Sequence, residues 1–371
     1  MNDISTTRWA IEQLNHLKLT LSCVAPLIGE ADVERISEDV CVWDAWPILQ
    51  RDGSPAPADW WMALASPWFA DPDDRHGHAR IHLFERRGDD WRHYGPVMPD
   101  GFSPGSREWS GSAYLENDGR RLTLYFTAAG FRGESELSFE QRLFEVEADL
   151  VGKDGGWSVE NCRNLRESFP RDPRFYADPL SAGGGLGTIK AFRDPGYLLD
   201  PATGEHWLLF TGSLATSQSA YNGVIGAARA KPDALGQWEV TAPIISADGL
   251  NNELERPHIV LANGLYYLFW STQTHVFNPE APRAPTGLYG MVSEQITHGW
   301  KPLNGSGLVI ANPPEAPRQA YSWLVLPDLS VTAFADDWGR GEAAEGAKRF
   351  AGTFAPFLRL ALDGETTRII D

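Results

Sequence analysis

Asn263-Gly264-Leu265-Tyr266-Tyr267-Leu268-Phe269-Trp270-Ser271 is a short run of rings and branched chains entered through an Asn-Gly pair. Such a run, bounded by turn residues, reads as a β-strand. Leu122–Thr127 and Trp207–Thr211 are worded alike. Only residues 7–18 suggest a helix, since Trp9, Leu14 and Leu17 recur at near-helical spacing before a polar break. With 36 Gly and 26 Pro in 371 residues, the remainder is turn-rich, which limits the chain to a sandwich, barrel or propeller.

Spacing decides among these. Distinctive segments surround Asp44, Trp109, Asp194, Glu255 and Tyr321, with successive gaps of 65, 85, 61 and 66 residues. A four-stranded propeller blade takes about 40–50 residues, and long loops absorb the surplus. The expectation is an all-β, five-bladed β-propeller, one domain over residues 1–371, whose inner strands converge side chains on one axial funnel.

Composition narrows the function. A hydrophobic content of 42% supplies a large core, and the formal charge of -18 disfavours nucleic acid or an anionic membrane as partner. Cys23, Cys41 and Cys162 are an odd count without metal spacing, so free buried thiols are expected and neither a metal nor a cofactor is called for. The first residues lack a charged stretch followed by an apolar run, and no segment approaches about 18 apolar residues. Neither a cleavable signal nor a membrane span is expected.

Three segments carry carboxylates in unusual company. In Val42-Trp43-Asp44-Ala45-Trp46-Pro47, indoles flank Asp44 and offer a stacking wall for a sugar ring. In Phe192-Arg193-Asp194-Pro195 the adjacent cation should lower the Asp194 pKa, which suits gripping sugar hydroxyls better than donating a proton. In Glu253-Leu254-Glu255-Arg256-Pro257 two carboxylates on an extended strand share a face, so repulsion should raise the pKa of one and keep a proton for a leaving oxygen. Each segment taken alone also reads as a turn or an ordinary strand. Glu108-Trp109-Ser110-Gly111-Ser112 and Gln319-Ala320-Tyr321-Ser322 add an aromatic wall and hydroxyls.

Together with Tyr267-Leu268-Phe269 and Pro302-Leu303-Asn304-Gly305-Ser306-Gly307-Leu308-Val309, these motifs stand in an order that resembles glycoside hydrolase family 68, the levansucrase, β-fructofuranosidase and inulosucrase group, over residues 40–336. The resemblance implies a five-bladed propeller and a retaining enzyme that cleaves sucrose and passes fructose to water or short sugar acceptors. It implies Asp44 as nucleophile, Glu255 as acid/base and Asp194 as transition-state stabiliser. Trp43, Trp109 and Ser110 would line the fructosyl subsite, while Arg193, Glu253, Arg256 and Tyr321 orient the carboxylates and the glucosyl unit. Thr211 stands where the family usually has Glu, Gln273 where a cationic or imidazole side chain is usual, and Trp323 where His is usual. All three are expected on the acceptor side, where they would weaken growth of long fructan chains. Relatives act mostly outside the cell, so an extracellular location without a cleaved signal is expected, with the cytoplasm as the alternative. The rival readings are a five-bladed hydrolase of another furanoside, inulin or arabinan, and a catalytically silent sugar-binding propeller.

Overall fold

A computed structural model of the chain describes residues 4–116, 118–182, 188–341, 346 and 348–370. Asn263-Gly264 is a two-residue loop with both φ positive, at 52° and 76°, pairing Ala262 with Leu265. That is the hairpin turn whose twist matches its strands, and Asp154-Gly155 repeats it. Pairing of successive antiparallel strands builds five blades. Blade I holds Cys41–Gln50, Trp60–Ser66, Arg80–Arg87 and Asp90–Pro96. Blade II holds Arg107–Leu115, Arg121–Ala129, Gln141–Lys153 and Gly156–Glu167. Blade III starts from Phe192–Leu199, His206–Ser213 and Gly223–Ala230, blade IV from Glu255–Ala262, Leu265–Thr272 and Gly287–Ser293, and blade V from Ala320–Val325 and Ser330–Asp337. The first strand of each blade touches the first strand of the next, and that of blade V touches that of blade I, so five inner strands close a ring.

Each strand in the middle of a blade is buried on both faces, which accounts for its wording. Tyr266, Leu268 and Trp270 pack toward blade III, while the alternate Tyr267 and Phe269 pack toward blade V. Likewise Trp207 and Leu209 face blade IV, and Leu208 and Phe210 face blade II. The core is thus five apolar layers, one at each blade–blade contact. A period of two serves two neighbours at once.

The expected helix over residues 7–18 is one turn, Ile11–Leu14, preceded by the strand Thr7–Arg8. The edge of blade III is the physical reason: the Thr7 and Trp9 amides donate to Ile244 O and Ser246 O at 2.9 and 2.8 Å. Backbone partners there outweigh helix propensity, and Trp9, fully buried, donates its Nε1 to Ser306 O of blade IV at 3.0 Å. The same N-terminal segment fastens the ring further on, where Gln319 of blade V bonds Ile28 N and Pro26 O at 3.0 and 2.7 Å. Cys23 and Cys41 are buried free thiols, whereas Cys162 is only half-buried, because its strand Gly156–Glu167 is the outermost of blade II.

Candidate active site

Every inner strand breaks register with its partner at the segment singled out in the sequence. The shifts fall between Trp43 and Trp46, Trp109 and Gly111, Arg193 and Gly196, Glu255 and His258, and Tyr321 and Leu324. In four of the five a non-glycine residue has positive φ: Asp44 at 44°, Asp194 at 60°, Arg256 at 52° and Ser322 at 60°. Left-handed backbone at such residues costs roughly 1–2 kcal/mol each. It re-aims side chains within a bulge, and the surrounding ring holds it in place. Gly111 serves the fifth bulge by size, since a Cβ there would overlap the carbonyl oxygen of Tyr125.

Residues that begin the inner strands line one cavity of about 410 Å³, and residues that end them line another of about 370 Å³. The second is apolar, with Leu49, Leu199, Leu261 and Leu326. The first holds Asp44, Asp194, Glu253 and Glu255 together with Trp43, Trp109, Ser110, Arg193, Arg256, Gln273 and Tyr321. All the residues expected at the site therefore meet in one place, while Trp46, expected beside Trp43 as a stacking wall, turns to the opposite cavity.

The carboxylates are held by a network that crosses blades. Ser110 Oγ donates to Asp44 Oδ2 at 2.7 Å. Thr127 Oγ1 donates to Ser110 O at 3.3 Å and accepts from the Asp194 amide at 2.9 Å. Asp194 Oδ2 accepts from Thr211 Oγ1 at 3.1 Å and from the Arg256 amide at 3.3 Å. Arg193 Nη2 lies 2.7 Å from Glu255 Oε1 and 3.7 Å from Glu253 Oε2, and Tyr321 donates its hydroxyl to Glu255 Oε2. The Arg256 guanidinium is spent on Ser322 O, Ser322 Oγ and Ala45 O at 2.9, 2.9 and 2.6 Å, binding blade IV to blades V and I.

Two electrostatic expectations change. Arg193 does not hold the Asp194 carboxyl low. Burial pushes it up to about 7, against Arg193, whose nearest nitrogen is 3.7 Å away and whose Nη2 is engaged by Glu255. In the glutamate pair the raised carboxyl is Glu253, at about 7, with burial the first cause and Glu255 only the second. Glu253 Oε1 is buried without a hydrogen-bond partner among the described residues. Burial and the Glu255 charge hold the Tyr321 hydroxyl well above its usual range, so it remains a donor.

The three departures from the family pattern do not share one location. Thr211 is fully buried beneath Asp194, and Trp323 packs in the apolar layer between blades IV and V. Only Gln273 lines the cavity, with His275 beyond it. A strand neighbour explains the difference, because Thr211 pairs with Arg193 and follows the Asp194 bulge inward. Sequence reasoning missed Thr127, which stands opposite Trp109 on the neighbouring strand, and the rim group Asp73, Arg75, His76 and Lys348. The polar string Pro72-Asp73-Asp74-Arg75-His76 after an apolar strand was the available signal.

A family model described as levansucrase/invertase matches residues 1–223 and 217–370. The chain belongs to the levansucrase/invertase family. An inulosucrase from Halalkalicoccus jeotgali, solved bound to kestose, superposes with a TM-score of 0.90 at 35% identity, over 98% of this chain and 95% of that one. Levansucrase LscB of Pseudomonas savastanoi pv. glycinea is 31% identical over 92% of this chain and 85% of its own length. The full-length β-fructofuranosidase of Microbacterium saccharophilum K-1 has a TM-score of 0.86 at 25% identity, covering 99% of this chain and 84% of that one. Family membership and the ring of five blades agree on the fold.

Proposed function

We propose that residues Asp44, Asp194 and Glu255 carry a retaining double displacement on sucrose within one catalytic propeller domain. The chain is a fructosyl-transferring enzyme that acts on sucrose. The observation that carries the assignment is the meeting of three carboxylates from blades I, III and IV in one cavity, each fixed by a separate set of donors.

Asp44, pinned by Ser110, attacks the anomeric carbon of the fructosyl unit while Glu255 gives its proton to the departing glucose oxygen. The C–O bond to glucose breaks as the Asp44 ester forms. Glu255 then takes a proton from water or a sugar hydroxyl, whose oxygen displaces Asp44 and regenerates both groups. Asp194 grips fructosyl hydroxyls. With its carboxyl pushed up to about 7, it can offer either a donor or an acceptor near neutrality. Trp43, Trp109 and Ser110 form the fructosyl wall, and Arg193, Glu253 and Gln273 face the glucosyl unit, with Tyr321 and Arg256 orienting the carboxylates. With Gln273, the departure that reaches the cavity, in place of a cationic or imidazole side chain, the products are free fructose and short transfer products rather than high polymer. The Zymomonas mobilis relative named extracellular sucrase, 28% identical, supports an extracellular site of action.

Glucose release from sucrose, measured beside an arabinan panel, is the test. Asp44→Ala should abolish it while the far-UV spectrum is kept. An unchanged rate, or arabinan cleaved in preference, would remove the reading, and high-molecular-weight fructan as main product would remove the acceptor part.

A further inference from the structure

The catalytic cavity opens on one side against charged residues that the double displacement does not use. Lys348 Nζ lies 2.7 Å from Asp336 Oδ1 and 3.4 Å from Asp73 Oδ1. Asp73 in turn pairs with Arg75 at 2.8 Å. Asp336 lies near the end of the second strand of blade V and Lys348 just before the strand Phe350–Phe354, Asp73 and Arg75 lie in the turn after the second strand of blade I, and all four line the cavity that holds Asp44 and Glu255.

Position relative to Glu255 gives the group its meaning. The acceptor oxygen must arrive where the glucose oxygen left, against Glu255, and the rest of the acceptor extends outward from there. His275, two residues beyond Gln273, lines the same cavity as Glu255 and Lys348. An ammonium has three donors; Lys348 gives one to Asp73 Oδ1 and pairs with Asp336 by charge, which leaves a donor for a sugar hydroxyl. Lys348 and Arg75 balance Asp73 and Asp336, so the rim carries no net charge and suits a neutral polyol rather than an ion. Lys348 and Asp73 are 26% and 41% exposed, which leaves them reachable from the mouth.

We propose that Lys348, held by Asp336 and Asp73, is the outer acceptor-binding residue, gripping hydroxyls of the incoming sugar and thereby setting how fructose divides between sugar and water. This rests on the catalytic reading above. Arginine at this position keeps the charge and a longer reach; methionine keeps the length alone.

The experiment compares Lys348→Met and Lys348→Arg with the native enzyme, with sucrose as both donor and acceptor, and reads transferred fructose against free fructose. Both products come from one intermediate, so their ratio is independent of the amount of folded enzyme. Lys348→Met should lower the ratio about tenfold, the size of losing a hydrogen bond to a charged group. It should also raise the sucrose concentration at which transfer is half-maximal, and Lys348→Arg should restore most of the ratio. An unchanged ratio in Lys348→Met, or an equal loss in Lys348→Arg, would overturn the proposal. Turnover surviving in Asp44→Ala would instead sink the catalytic reading, so the two failures are separable.

Discussion

The Ser110 hydroxyl of blade II donates a 2.7 Å hydrogen bond to Oδ2 of Asp44 in blade I. Asp44 has left-handed backbone at a bulge, and this bond fixes the carboxylate that the bulge aims inward. Ser110→Ala should cost about 1.5–3 kcal/mol in transition-state stabilisation, the range for a hydrogen bond to a charged group, or roughly ten- to hundredfold in kcat/KM. Steady-state kinetics on sucrose check it. A loss confined to KM would show that Ser110 only binds ground-state substrate.

Arg193 is the cation shared by Asp194, Glu253 and Glu255, and its side chain is 6% exposed. Arg193→Ala leaves buried carboxylates facing one another without it. Breaking a buried pair by removing one partner costs about 3–5 kcal/mol. Urea denaturation should register a loss of that size; a change below about 1 kcal/mol would mean that water already screens the group.

Glu253 gives a stability signature in pH. Its carboxyl goes from an ordinary 4.5 to about 7 on folding, chiefly through burial. Between those values the folded state binds more protons than the unfolded one, so this group lowers stability as pH climbs through the window and adds no further slope above it. Glu253→Gln should remove its share of the slope. Denaturation of both proteins at about pH 5 and about pH 8 reads the difference, in which groups elsewhere cancel. Parallel slopes would contradict the raised value.

Trp9 tests how the ring is fastened. It is fully buried between blades III and IV and stacks edgewise on Trp270 at 5.2 Å. Trp9→Ala should cost about 3–5 kcal/mol, as large aromatic truncations in cores do. A drop in Tm with near-native kcat/KM at low temperature is the expected result. Loss of activity without loss of stability would place Trp9 in the chemistry.

Much of this was legible in the sequence because a propeller repeats one local solution. Asp44, Trp109, Asp194, Glu255 and Tyr321 each sit at the register break of an inner strand, so spacing along the chain mapped onto position around the axis. What depends on pairing across blades was hidden. The expected fall in the Asp194 pKa failed because neighbour identity was visible and burial was not. The motifs of Thr211 and Trp323 point to the acceptor side, yet strand register turns one beneath Asp194 and the other into a core layer. Lys348 meets Asp73 only because blade V closes against blade I, and no local pattern announces that contact. Residues 7–18 mislead through periodicity alone, since the free edge of blade III pairs with Thr7–Arg8 as a strand and accepts the Trp9 amide.

The claim that most of this account depends on is that Asp44 becomes the fructosyl ester. Native enzyme turning over sucrose should be quenched in acid, digested and weighed peptide by peptide. The account predicts a mass gain of one fructosyl unit on the peptide containing Asp44, absent from Asp44→Asn, with fructose released first as the anomer that retains the configuration of sucrose. Release of the inverted anomer with no adduct on that peptide would contradict it.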